Sequence, residues 1–309
     1  MQTSNKAHPK GNKLLANNPW ILAARPKTLP AAISPVLVGW GLAISMGKFS
    51  LLPAIASLFC ALWIQVGANY FNDVIDYAKG TDSVDRLGPT RVTQAKLLTP
   101  RQVWTGGIFS FLLAGAAGIF LAIEAGWIVL LIGLACFAAG ILYTAGPYSL
   151  SNTGLAEIFC FIFFGLVAVN GTVFVITGSL ALVSWLCGIA CGALITAILI
   201  VNNIRDAQSD RAVGRRNIAS VFGRKAAEFQ FLFLLFTAYA VPPAMILWAN
   251  SRWTVLLAWF SFPFAAHLYD ELVHTPISRE FNRLLAKTGQ LTLLFSVLLT
   301  IGFVLSLWV

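Results

Sequence analysis

Charge is what this chain has least of. Only 11% of its 309 residues are Asp, Glu, Lys or Arg, and just twelve are acidic, against 58% hydrophobic. Soluble domains carry about a quarter charged residues, so this composition excludes an ordinary soluble fold. The cysteines are few and badly placed for disulfides. Cys60, Cys136, Cys160, Cys187 and Cys191 all fall inside apolar runs and none sits in a loop, which predicts no disulfides. Cys187 and Cys191 stand one helical turn apart, but no His or further Cys lies nearby. Small residues packing between helices is a better reading than a soft-metal site. Residues 1–18 lack an apolar h-region, so they are not a secretory signal. With Lys6, Lys10 and Lys13 they read as a short flexible cytoplasmic tail ahead of one transmembrane domain at 19–309.

What the chain has instead is apolar sequence in helix-length runs. A helix needs about 20 apolar residues to cross a bilayer. Nine spans are predicted, at about 29–46, 51–72, 104–123, 126–143, 155–177, 180–203, 229–249, 253–270 and 288–308. The fold class expected is therefore an all-α polytopic membrane protein. The net charge of +9 belongs to that topology, not to nucleic-acid binding. Of the 21 Lys and Arg residues, all but Lys48 and Arg252 fall in the tail and in alternate loops. That asymmetry puts the N-terminus and those loops inside and the C-terminus outside. Trp20, Trp104, Trp127, Trp185, Trp248, Trp253 and Trp308 sit near predicted span ends, as an interfacial aromatic belt would.

Half of the scarce acids gather in two loops on the basic side. Asp73 and Asp76 end the second span, with Asn69 and Asn72 just before them; Asp82 and Asp85 follow in the loop. Asp206 and Asp210 end the sixth span, with Asn202 four residues before Asp206 as Asn69 is before Asp73. Within each pair the spacing of three or four predicts one helical face. Carboxylates at the wet ends of membrane helices suit a hard cation held through oxygen, and Mg²⁺ prefers one or two carboxylates plus phosphate oxygens. Two facing clusters would each hold Mg²⁺ and grip a diphosphate between them, with Lys79, Arg91 and Arg205 as the nearest basic partners. Metal and Arg charge would assist departure of the diphosphate. An apolar helix bundle would protect the carbocation left behind. A transporter is disfavoured, because mid-span segments such as 182–200 carry no charge.

Asn72-Asp73-Val-Ile-Asp76 together with Asp206-Ala-Gln-Ser-Asp210 resembles the two Asp-rich motifs of the UbiA-type membrane prenyltransferases. Arg25-Pro-Lys27-Thr-Leu-Pro30, Lys79-Gly-Thr-Asp82, Arg86-Leu-Gly-Pro-Thr-Arg91, Tyr143-Thr-Ala-Gly-Pro-Tyr148, Asn203-Ile-Arg205-Asp206 and the segment from Phe281 to Thr288 are similar to the branch of that superfamily acting on 1,4-dihydroxy-2-naphthoate. The resemblance covers roughly residues 20 to 300. It implies nine helices around a central cavity with Mg²⁺ bound at the cytoplasmic face. It implies transfer of a prenyl group from polyprenyl diphosphate to the naphthoate with loss of CO₂, in menaquinone synthesis at a bacterial cytoplasmic (inner) membrane. Gly80 stands where the wider superfamily often has a third Asp, which favours the naphthoate branch and leaves a ligand role for Asp82 open.

On this reading Asp73, Asp76, Asp206 and Asp210 are the metal ligands, and Asn69, Asn72 and Asn202 add oxygen contacts. Arg91 and Lys79 bind diphosphate, and Arg205 either joins them or balances the charge of Asp206. Tyr143 either steadies the carbocation or the acceptor with its ring, or is an interfacial tyrosine. Arg25 and Lys27 either meet the acceptor carboxylate or anchor the first span. Glu157 is left without a role, as are His267 and His274. The partners expected are the two substrates and membrane lipid, with no obligate protein partner evident. The rival functions are a relative using 4-hydroxybenzoate, homogentisate or haem as acceptor, and, from another class, a transporter.

Overall fold

The computed structural model describes residues 18–80, 87–142 and 150–309. The tail before Asn18, the loop residues Asp82, Asp85 and Arg86, and Tyr143 lie outside the described residues. Among the described residues all regular structure is helical.

The chain enters through a bent pair of helices. Asn18 caps α1 (Pro19–Ala24), accepting a hydrogen bond from the Trp20 backbone N–H. Arg25 then takes a left-handed conformation (φ 52°). A 3-10 turn (Pro26–Thr28) follows, and α2 (Pro30–Ser45) leaves at 52° to the entry segment. Each segment starts on a proline, whose fixed φ suits a first helical position. Beyond lie α3 (Leu51–Ala78), α4 (Pro100–Ala125) and α5 (Ile128–Leu142). Next come α6 (Ala156–Thr177), α7 (Leu182–Ala212), the short α8 (Ile218–Phe222) and α9 (Arg224–Ala249). A 3-10 segment (Trp253–Ser261) runs into α10 (Phe262–His274), and α11 (Phe281–Leu305) ends the chain.

Six of these, α3, α4, α6, α7, α9 and α11, are long and apolar enough to cross a bilayer, and the bent pair makes a seventh. The expected count of nine is therefore not confirmed. The other two predicted spans fall on α5, with 15 residues, and on the nine-residue 3-10 segment with α10. A 3-10 stretch lacks the regular 3.6-residue repeat from which a span is counted.

α7 is the axis of the bundle. In its most apolar stretch 78% of residues are buried, far more than in any other long helix. It packs on α6, α9 and α11, and α3 packs along α4. At about 1.5 Å per residue, the 28 residues of α3 and 31 of α7 run to about 42 and 46 Å, against roughly 30 Å of hydrocarbon. Their last turns must therefore project past the apolar layer. Those turns carry Asn72, Asp73 and Asp76 on α3 and Asn202, Asp206 and Asp210 on α7.

α6 and α7 cross at backbone contact distance. α6 contains one π-helical stretch, Phe161–Val167. Gly165 in it lies against Gly188 and Gly192 of α7, where an added Cβ would strike the Gly188 carbonyl and the Gly192 backbone. Backbones approach this closely only where side chains are absent. Gly165→Ala should therefore cost about 1–3 kcal/mol by overpacking. The check is thermal unfolding in detergent beside Gly115→Ala, whose Cβ meets nothing within 4 Å. Equal midpoints for the two variants would remove this crossing as a determinant of the fold.

Candidate active site

A cavity of about 420 Å³ opens between α2, α3, α4, α5, α6 and α7. Its wall is built from single helix faces. On α3 the lining positions run Ser57, Cys60, Ala61, Ile64, Gln65, Ala68, Asn69, Asn72, Asp76. On α7 they run Ile195, Ile198, Leu199, Asn202, Asn203, Asp206, Asp210. Steps of three and four keep each stripe on one side of its helix. Both stripes are mostly apolar along their length and polar in the final turns. From Ser57 to Asp76 the α3 stripe covers about 28 Å. The result is a long apolar chamber with all of its carboxylates at one end.

At that end the two acidic stretches meet. Arg91 Nη2 donates to Asp76 Oδ2 (2.6 Å), and Arg215 Nη2 donates to Asp76 Oδ1 (2.6 Å). The same Arg215 lies 3.9 Å from Asp210 Oδ1. One guanidinium thus bridges a carboxylate of α3 to a carboxylate of α7. Asn217 Nδ2 donates to the other Asp210 oxygen (2.9 Å). Arg205, 2% exposed, grips both oxygens of Asp206 (2.8 and 2.6 Å) and donates to Asn282 Oδ1 (2.7 Å) and to Asn202 Oδ1. Asn282 Nδ2 donates to the Leu87 carbonyl (2.8 Å), tying this group to the loop after α3. With Nε and both terminal nitrogens engaged, Arg205 holds Asp206 and Asn202 in place.

Asp73 takes a different position from its neighbour. One residue on from Asn72 is about 100° further round the helix. That turn carries Asp73 to the segment after Arg91, where the Val92 and Thr93 backbone N–H groups donate to its two oxygens (3.1 and 3.0 Å). Asp73 is 1% exposed and does not line the cavity. The cavity-facing position suggested by its spacing from Asp76 belongs to Asn72 instead. By holding residues 92 and 93, Asp73 sets the place from which Arg91 reaches Asp76.

The remaining expected residues divide. Asn69 lines the cavity, and its amide donates to the Ala24 carbonyl (2.8 Å) and Thr28 Oγ1 (3.1 Å), pinning the bent entry onto α3. Arg25 lines the cavity from that bend. Lys27, on the 3-10 turn, and Lys79, at the C-cap of α3, are exposed and do not line it. Glu157 is buried and accepts from Asn203 Nδ2 (2.9 Å), so it orients an amide of the cavity wall.

Arg215, Asn203, Asn217 and Asn282 carried no assignment in the sequence reading. Arg215 had a local signal. Gly214, at φ 75°, follows the end of α7; the Arg215 N–H donates to the Asp210 carbonyl (2.8 Å) and the Gly214 N–H to the Arg211 carbonyl (3.3 Å). This glycine-dependent reversal returns the next residue alongside the last turn of the helix. Asn282 had none, because it meets Arg205 across 77 positions of sequence.

Asp76, Asp206 and Asp210 with Asn72 and Asn202 offer only oxygen as metal donors, the set that suits Mg²⁺. Among the described residues no three His, Cys, Asp or Glu groups converge closely enough to hold a metal by themselves. A cation here would draw its other ligands from water and phosphate oxygens, as Mg²⁺ commonly does.

Comparison with known proteins shows the family and the fold. A model described as the UbiA prenyltransferase family matches residues 32–288. A 1,4-dihydroxy-2-naphthoate octaprenyltransferase of Bacillus subtilis is 31% identical over 283 residues, 91% of each chain. The enzyme of the same name from Mycobacterium tuberculosis is 35% identical over 77% of this chain and 80% of its own. That from Escherichia coli is 30% identical over 94% and 96%. Among solved structures, a UbiA homolog from Aeropyrum pernix matches with a TM-score of 0.69 at 17% identity, covering 88% of this chain and 97% of its own. One from Archaeoglobus fulgidus, bound to DMAPP and Mg²⁺, matches with a TM-score of 0.68 at 16% identity, covering 93% and 99%.

Asp73→Ala leaves two backbone donors without their charged acceptor, and such bonds are each worth about 1.5–3 kcal/mol. The expected result is a lower unfolding midpoint and faster amide exchange at Val92 and Thr93. Unchanged exchange at those two amides would remove the anchoring role.

Proposed function

The chain belongs to the UbiA prenyltransferase family, and from that premise we propose that it transfers a polyprenyl group from polyprenyl diphosphate to 1,4-dihydroxy-2-naphthoate in menaquinone biosynthesis. The observation carrying this reading is the meeting of Asp76, Asp206 and Asp210 with Arg91 and Arg215 at the polar end of an apolar chamber. Names of relatives that cover nearly the whole chain support the naphthoate as acceptor.

Asp76 on one side and Asp206 with Asp210 on the other would hold Mg²⁺, which would supply positive charge where negative charge develops on the departing diphosphate. Asn72 and Asn202 complete the oxygen set, directly or through water. Arg91 and Arg215 rest on Asp76 and carry further N–H groups in a planar fork suited to phosphate oxygens. Arg205 acts as a positioning residue for Asp206. The C–O bond between prenyl carbon and diphosphate breaks, and its electron pair leaves with the diphosphate. The ring carbon bearing the carboxylate attacks the prenyl carbon, and the carboxylate leaves as CO₂. The apolar wall from Asn69 down to Ser57 receives the tail and keeps water from the carbocation. Arg25 meets the acceptor carboxylate, a role supported by its position in the chamber lining, whereas Lys27 is exposed.

The protein lies in a bacterial cytoplasmic membrane with the tail and the polar end of the chamber facing the cytoplasm. The distribution of Lys and Arg supports this orientation. A Lys10→Cys variant should react with a membrane-impermeant maleimide only after the cells are opened; labelling in intact cells would reverse the topology.

Purified protein with Mg²⁺ and octaprenyl diphosphate should prenylate dihydroxynaphthoate with release of CO₂ and should leave 4-hydroxybenzoate unchanged. The reverse preference would sink the assignment. Asp76→Ala and Asp206→Asn should each lower turnover at least about 10²-fold, the scale of losing one electrostatic contact to the leaving group. Both variants should remain folded in detergent.

A further inference from the structure

The far end of the chamber has a construction that the chemistry at its polar end does not require. Leu121 of α4, Val129 of α5 and Val175 of α6 line the cavity there and belong to one buried cluster with Ala43, Ala54 and Ile176, which closes it. One helical turn above each of these three residues, toward the carboxylates, stands a glycine. Gly118 precedes Leu121 by three, Gly133 follows Val129 by four, and Gly171 precedes Val175 by four. Spacings of three and four put each glycine on the same helix face as its floor residue. All three line the cavity, and a Cβ built on any of them meets nothing within 4 Å.

Most other glycines of the spans differ. Gly39, Gly41, Gly67, Gly106, Gly107 and Gly165 each sit against a neighbour that a Cβ would crowd or strike. Those glycines serve helix contact. A Cβ begun at Gly118, Gly133 or Gly171 would instead enter open space. The level of Gly118 follows from α3: Cys60 Sγ lies 3.5 Å from the Ala114 carbonyl, so Gly118 stands one turn beyond Cys60. Cys60 is sixteen residues from Asp76, about 24 Å along the helix.

We infer that Gly118, Gly133 and Gly171 form a gate in the prenyl-tail tunnel that sets the longest chain accepted. The inference rests on the reading of this site as a prenyl diphosphate site. A geranyl tail with its diphosphate at Asp76 ends above the gate. An octaprenyl tail must pass between the three glycines toward the floor. A Cβ added there meets no neighbour, so side chains grown from it narrow the tunnel, discriminate by length and leave the chemistry at the carboxylates intact.

The experiment compares kcat/KM for geranyl and octaprenyl diphosphate in wild type, Gly118→Leu, Gly133→Leu, Gly171→Leu and Gly115→Leu. Gly115 serves as the control because it is exposed outside the cavity with open space around it. Each gate variant should lose at least about tenfold with octaprenyl diphosphate while staying within about threefold with geranyl diphosphate, the range of steric discrimination in apolar pockets. Gly133→Ala should fall between wild type and Gly133→Leu. Equal loss with both substrates, or no loss with octaprenyl diphosphate, would overturn the gate; the latter would mean that long tails leave sideways above it. Wild type inactive with both substrates would overturn the prenyltransferase reading itself, and the gate with it.

Discussion

The polar end of this protein depends on carboxylates being compensated by guanidinium groups that arrive from elsewhere in the chain. Asp76 faces two of them, Arg91 from the loop after α3 and Arg215 from just past the end of α7. Buried or half-buried carboxylates without partners would be too costly to keep charged in such surroundings. The pairing does more than neutralise them. Because Arg215 also approaches Asp210, the ends of α3 and α7 are held within one guanidinium of each other. Arg205 performs a parallel task on α7, fixing Asp206 through a fork and reaching Asn282 of α11 and, through it, the Leu87 carbonyl. Helices that otherwise meet lipid and one another are thereby registered at their wet ends.

The chamber follows from the same helices read in the other direction. A stripe of side chains three and four apart becomes a wall when several helices turn their stripes inward. α3 and α7 place amides and carboxylates where they project beyond the apolar layer and mostly small or aliphatic groups where they lie within it. Chemistry and containment are therefore two ends of one face. The bent entry completes the wall, held by Asn69 and Gln65 to Thr28 and, through Asn69, to the Ala24 carbonyl.

How much of this could be read from sequence depended on distance along the chain. Asp76, Asp206 and Asp210 were legible because scarce acids at the ends of apolar runs stand out and the helical period places them. Asp73 was misplaced by that period. Its direction is decided by backbone donors 19 and 20 residues away, and pair spacing is silent about them. Arg215 could have been found from Gly214. The grip of Arg205 on Asn282 could not, since nothing local marks a contact across most of a bundle. The span count suffered for a related reason: Trp253–Ser261 is apolar in composition but coils as 3-10, and composition does not report the coil. Tyr143, Asp82 and Asp85 lie outside the described residues.

The π-helical stretch in α6 has a consequence for how this chain can vary. A wide turn shifts the azimuth of everything before it relative to everything after it. Ala156, Phe159 and Cys160 face the chamber on one side of the stretch, and Ala168, Gly171 and Val175 on the other. The wide turn takes up one residue more than an α-helical turn, so losing a single residue between 161 and 167 would let the helix close as a regular α-helix with both chamber-facing sets still close to their places. A one-residue deletion in the regular part of α6 has no such slack: it would turn the first part by about 100° against the second and take Glu157 away from Asn203. The segment is thus a phase adjuster, where this helix can absorb the loss of a residue without turning its two ends against each other.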